Sequence, residues 1–167
     1  MESTDPLSEL EQKVGRLEGL SDDLITVVDH QIDAVVNSKT EQIEEYVQQY
    51  TSLRGVFRDE EQEFINQLRM TLNKVGANEA EVRLESLKEC YPQQKDLIAD
   101  WQDVLEKQMD ILKKKQEKLD GLLEFAVEKN MQLMHSIYSM HNKKNTRYSS
   151  GGTKEEISSG IALNKEA

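Results

Sequence analysis

The chain has 167 residues, 32 of them acidic and 21 basic, for a formal net charge of -11. That sign opposes binding to a nucleic-acid backbone, which needs Lys and Arg against phosphate, and opposes a polybasic anchor on anionic lipid. Only 37% of residues are hydrophobic and 32% are charged, against about 45–50% and about 25% in ordinary globular domains, so a large compact core is excluded. Eight Gly and two Pro leave long stretches rich in Glu, Lys, Gln and Leu, which lose little rotamer entropy in a helix. The expected fold class is all-α: an elongated, coiled-coil-type helical bundle built on narrow apolar stripes.

Residues 1–20 read as a short N-terminal helix. Ser3, Thr4 or Asp5 can cap it, and Pro6 suits the first turn. Leu7, Leu10, Val14 and Leu17 step by three and four and so share a face. Gly15 and Gly19 each weaken this helix by about 1 kcal/mol relative to Ala. Gly19–Asp23, GLSDD, reads as a break with a new cap, a continuous helix being the alternative.

Residues 21–75 read as a heptad-patterned helix or helix pair. Val36, Ile43, Tyr50, Phe57 and Phe64 form one column in strict heptad step. Val47, Leu68 and Val75 lie four residues further on, and Tyr46 and Leu53 three. Asn37 and Ser38 are candidates for an interruption, since both compete for backbone hydrogen bonds, with Ser38 or Thr40 capping a fresh helix.

Residues 76–92 read as a connector. Gly76 suits a helix C-terminus and Asn78 the next N-cap, with a short helix over 79–89. Tyr91 then breaks the helix because it precedes Pro92.

The strongest element is a long C-terminal helix over residues 93–141. Ile98, Leu105, Leu112, Leu119, Ala126, Leu133 and Met140 form an unbroken heptad column. About 50 residues at 1.5 Å each span roughly 75 Å. The flanking columns are uneven: Trp101, Gln108, Lys115, Leu122, Lys129 on one side, and Gln102, Met109, Gln116, Leu123, Asn130, Ile137 on the other. A parallel dimer keeps both seam columns apolar. A seam that changes flank predicts more than one partner helix along the length, or an antiparallel one. Residues 142–167 are polar and Gly-containing, and read as a disordered tail.

Chemistry-bearing constellations are sparse. His30, His135 and His141 include no pair four residues apart, the spacing that places two metal ligands on one helix face. Cys90 cannot form an internal disulfide, and its sequence neighbours Glu89 and Tyr91 are not activating ones. The acidic run Asp59–Glu61 lacks the turn glycine of a calcium loop, and Lys113–Lys115 is a helix surface among Glu106, Asp110 and Glu117. No phosphate-loop, dinucleotide or nucleophile-elbow motif occurs. These readings predict no cofactor, no metal and no catalytic residue. The residues expected to carry function are helix-packing or partner-interface positions: Ile43, Tyr50, Phe57, Phe64, Ile98, Trp101, Leu105, Leu112, Leu119 and Leu133. Met131, Met134, Ile137, Tyr138 and Met140 form a soft apolar end suited to adaptable packing. No hydrophobic leader is visible, and no apolar run approaches the ~20 residues of a membrane span.

Three stretches carry a family resemblance: LSELEQKVGRLEGL in the opening helix, NSKTEQIEEYVQQY with RDEEQEFINQL, and the long helix with LIADWQDVLEKQMDIL and LDGLLEF. Over roughly Leu7 to Met140 their order and register resemble the dynactin subunit 3 family, the small shoulder subunit of the dynactin complex. The resemblance implies a non-catalytic structural subunit, an obligate hetero-oligomer packing its helices with dynamitin and the large microtubule-binding subunit. It implies a place in cytoplasm and cytoskeleton, in support of dynein-driven transport. The alternative is a coiled-coil subunit of a kinetochore, vesicle-tethering or lysosome-positioning complex.

Overall fold

The structure, a computed structural model, describes residues 5–148, with side chains described from 5 to 142. It is an all-α helical bundle with a long C-terminal helix: α1 (Pro6–Val36), α2 (Thr40–Lys74), α3 (Leu84–Cys90), a 3-10 turn (Pro92–Gln94) and α4 (Lys95–Tyr148). The chain divides into two compact units, residues 1–122 and 123–167.

Helix α1 starts where its chemistry directs. Asp5 is the N-cap, its side chain accepting from the Leu7 N–H at 3.1 Å, and Pro6 occupies the first turn. The expected break at Gly19–Asp23 is absent, and α1 is one helix of 31 residues. The three-and-four stepping runs through that stretch, with Leu17, Ser21, Leu24 and Val28 all buried on one face. Ser21 fits there because its hydroxyl donates to the Leu17 carbonyl at 2.7 Å, so its burial leaves no unmet polar group. Continuous burial offsets the two glycines. Residues 21–36 therefore belong to α1, and Val36, the first member of the expected second-segment column, stands exposed at its end.

Helices α1 and α2 both end in the same closing motif. After α1, the Ser38 N–H donates to the Val35 carbonyl at 3.2 Å and the Lys39 N–H to Ala34 at 2.9 Å. After α2, the Gly76 N–H donates to Asn73 at 3.1 Å and the Ala77 N–H to Leu72 at 3.0 Å. These are the paired bonds of a Schellman closure, which needs a left-handed residue just past the helix. Gly76 supplies it at φ +80° and Ser38 at φ +55°. Ser38 thus closes α1 rather than capping α2, whose N-cap is Lys39 with no side-chain bond. A serine in this region carries a steric cost that glycine does not. Ser38→Gly is expected to stabilise the bundle by about 1 kcal/mol, read as a higher midpoint in urea at unchanged slope.

The expected short helix over 79–89 begins later, at Leu84, and Asn78 does not cap it. Arg83 is extended, at φ -141° and ψ 154°. Extended backbone around it lets Val82 and Leu84, two residues apart, both pack on the core. A helix would turn them about 200° apart. Tyr91, at φ -125° and ψ 69°, leaves the helical region before Pro92 as expected, and α4 starts at Lys95 after the 3-10 turn. At its other end α4 continues through 142–148, which the polarity of that stretch assigned to the tail. No glycine or proline lies between Gly121 and Gly151 to stop it. The rest of the expected tail, from residue 149, lies outside the described residues.

In the first unit the polar pairs give the helix directions. Glu9 meets Gln67, Lys13 meets Glu63 and Arg16 meets Glu60, at 2.7, 3.3 and 2.9 Å, so α2 descends as α1 ascends. Asp22 meets Gln108 and Asp29 meets Lys115, at 2.7 and 2.5 Å, so α4 runs parallel to α1 with a matched heptad step. One apolar cluster joins Leu7, Leu10, Val14 and Leu17 to Phe64, Leu68, Leu72, Leu87, Ile98 and Trp101. A second joins Leu24 and Val28 to Leu112, with Tyr50, Leu53, Phe57 and Leu119 packed around it.

Candidate helix-docking surface

The uneven flanks of the α4 column have a geometric explanation in the first unit. On one flank, Gln108 and Lys115 bond to Asp22 and Asp29 of α1. On the other, Gln116 donates to the Tyr50 hydroxyl of α2. Gln108, Lys115 and Gln116 thus each meet a polar group on a neighbouring helix, α1 on one flank and α2 on the other, whereas Gln102 bonds to Glu106 of its own helix.

The expected interface residues separate accordingly. Ile98, Trp101, Leu112 and Phe64 are buried in the two clusters. Leu105, Leu119, Tyr50 and Phe57 are half-buried against the same clusters. Ile43, early in α2, is half-buried. Leu133 is different: it is 59% exposed.

Leu133 stands in a larger exposed surface. Within the second unit, the described side chains of 123–142 are all exposed except Ala126, which is half-buried. Leu123, Val127, Met131, Met134, Ile137, Tyr138 and Met140 are all exposed large apolar groups on this stretch of α4. At about 100° per residue they fall, with Leu133, on one half of the helix surface. Glu124, Glu128, Gln132, His135, Ser136 and Ser139 occupy the other half, where Phe125 is the apolar exception, its ring 5.4 Å beneath the Lys129 ammonium. Most of these apolar residues show in the sequence as the soft end of the long helix. Leu123 stands between Gln116 and Asn130 in its flanking column and Val127 follows Asp120 in its own, so neither shows as part of a continuous apolar stripe.

An exposed apolar helix face of this kind, interrupted by Asn130 and His141, is a surface type common at interaction sites. A helix face of this width suits packing against other helices, and its three methionines suit an irregular partner surface. Among the described residues no helix is long and apolar enough to cross a membrane, and no group of His, Cys, Asp and Glu is placed to hold a metal ion. Elsewhere an open groove runs between α2, the connector and α4, lined by Phe64, Leu68, Val82, Leu84, Gln102 and Leu105. Cys90 packs half-buried at the edge of the first cluster.

Burial pushes the neighbouring Tyr91 phenol above its ordinary value of 10.0, with Asp5 and Cys90 adding to the shift. A raised value in the folded state favours the protonated phenol. Its contribution is complete below the unfolded value near 10 and is lost as pH rises through the folded value. Thermal unfolding at pH 9 and pH 11 is expected to show a larger loss of stability for the natural chain than for Tyr91→Phe.

Comparison with family models, with curated proteins and with solved structures finds no match to this chain.

Proposed function

We propose that the protein is a non-catalytic structural subunit whose work is to bind other helices through α4. The observation that carries this is the exposed apolar face over Leu123–Met140, where eight large side chains stand on one half of the helix. Exposed area of that extent gains free energy at about 25 cal/mol per Å² when covered. Helical partners cover such a face without unsatisfied backbone groups, because each helix has already met its own.

The finer reading rests on the sequence resemblance to the dynactin subunit 3 family. On it, the chain is a shoulder subunit of dynactin in the cytoplasm and cytoskeleton, an obligate hetero-oligomer with dynamitin and the large microtubule-binding subunit. The acidic surface agrees with a role that calls for no nucleic-acid backbone or anionic membrane. Affinity purification of the tagged chain from its own cells, followed by mass spectrometry, tests this. Recovery of dynamitin and further dynactin subunits is the expected result. Recovery of a stable assembly holding no dynactin subunit overturns the dynactin reading, and a chain that purifies as a compact species with no helical partner overturns the helix-binding one.

A further inference from the structure

We propose that the helix covering the exposed face of α4 is the same segment of a second copy of this chain, running parallel and in register. The proposal rests on the helix-binding reading above and not on the identity of the complex.

Heptad bookkeeping over this stretch places Leu123, Asn130 and Ile137 at one seam position and Ala126, Leu133 and Met140 at the other. The single polar member is Asn130. An asparagine at one such position specifies register and a two-stranded state, at some cost in stability. In a parallel, in-register pair each seam layer meets itself, so the two Asn130 amides face each other and can hydrogen-bond. In an antiparallel pair the first seam position packs on the second, and Asn130 meets apolar side chains with its amide unmet, which is costly. The asparagine therefore selects both the orientation and a partner that carries asparagine at the same layer. A second copy does so by construction.

Charge points the same way. The chain as a whole carries -11, which opposes most self-contacts through like-charge repulsion. This face is the exception. Between Asn130 and Asn142 there is no Asp, Glu, Lys or Arg. Glu124 and Glu128 lie on the outer half of the helix. Lys129 is the one charge flanking the seam, and a parallel mate places Met134 opposite it, with no like charge. Partner choice between different chains is commonly set by opposite charges at these flanking positions. Here they are Val127, Met134, Ser136 and His141 besides Lys129, with no acidic partner among them, so no pattern of opposite charges selects a foreign chain over a second copy. Of the eight exposed apolar side chains, Leu123, Leu133, Ile137 and Met140 lie in this seam and Val127 and Met134 flank it, so the pair covers six of them.

The test uses the full chain. Light scattering or sedimentation of the purified protein is expected to give twice the 19.2 kDa chain mass at micromolar concentration. Leu133→Glu with Ile137→Glu is expected to give a monomer over at least a hundredfold concentration range. Both side chains are exposed, so helicity and the thermal unfolding of the first unit should be unchanged in that variant. Met140→Cys in a Cys90→Ala background is expected to form a disulfide-linked pair on mild oxidation, because the two copies of position 140 face each other only in register. Asn130→Leu is expected to keep the association and lose its single stoichiometry. A monomeric natural chain overturns the proposal, as does a pair that survives the double substitution, or one whose position-140 cysteines never cross-link. A monomeric natural chain whose Leu133→Glu, Ile137→Glu form loses its cellular partners sinks the self-pairing alone. If that form keeps every partner, the helix-binding reading falls with it.

Discussion

Trp101→Ala is expected to destabilise the bundle by about 3–5 kcal/mol, the largest effect of any single side-chain truncation in this chain. Trp101 is 5% exposed and belongs to the cluster where all four helices meet. It stands one turn beyond Ile98, which is fully buried, and both face Leu7–Leu17 of α1 and Phe64–Leu72 of α2 as members of one cluster. Removing the indole leaves a cavity that no short side chain nearby can fill, so the loss combines transfer and cavity terms. Against a total stability of about 5–15 kcal/mol, that approaches global unfolding. Urea denaturation followed by far-ultraviolet circular dichroism measures it. A change below about 1 kcal/mol would show that α4 is not held to the bundle at this point. Trp101→Phe should retain more than half of the lost stability, since an aromatic ring still occupies the site.

A second expectation separates the two kinds of leucine in this chain. Leu10→Ala should cost about 2–5 kcal/mol, because Leu10 is 0% exposed at the centre of the same cluster. Leu133→Ala should change the unfolding free energy of the single chain by no more than about 0.5 kcal/mol, because its side chain is 59% exposed. Both are seam-type leucines on heptad-patterned helices, and composition does not distinguish them. If Leu133→Ala instead destabilises a demonstrably monomeric sample as strongly as Leu10→Ala, the α4 face is covered within the chain and is not a docking surface. Measuring both variants by the same denaturation, at concentrations on either side of the association midpoint, reads the intramolecular and intermolecular contributions apart.

Much of the fold was legible in the residues. Helical class followed from composition and from the three-and-four stepping, and the heptad column from Ile98 to Met140 located α4. The end of α2 at Gly76 and the irregular backbone at Tyr91-Pro92 followed from local stereochemistry. The misread places share a cause. At Gly19–Asp23, local propensity argued for a break, and burial of Leu17, Ser21 and Leu24 on one face overrode it. At Ser38 a residue type common at N-caps closes the preceding helix instead, because the chain must turn back to bring α2 down against α1. At Asn78 a good cap residue is bypassed, because Val82 and Leu84 both pack inward on an extended backbone.

The candidate site divides in the same way. Periodicity alone determined which residues are apolar, which face of each helix they share, and that α4 carries more seam than one simple partner would use. Those are properties of spacing along a single helix, and 3.6 residues per turn suffices to derive them. Only the tertiary structure decided which seam residues are already covered. Ile98, Trp101 and Leu112 lie against α1 and α2, whereas Leu133, Ile137 and Met140 stand exposed. Within the first unit, that coverage is set by the Schellman closures and by the paired register of Asp22 with Gln108 and Asp29 with Lys115. A heptad column records that a partner exists for each layer. Whether that partner lies in the same chain is a property of helix lengths and loop geometry, which the column itself does not contain.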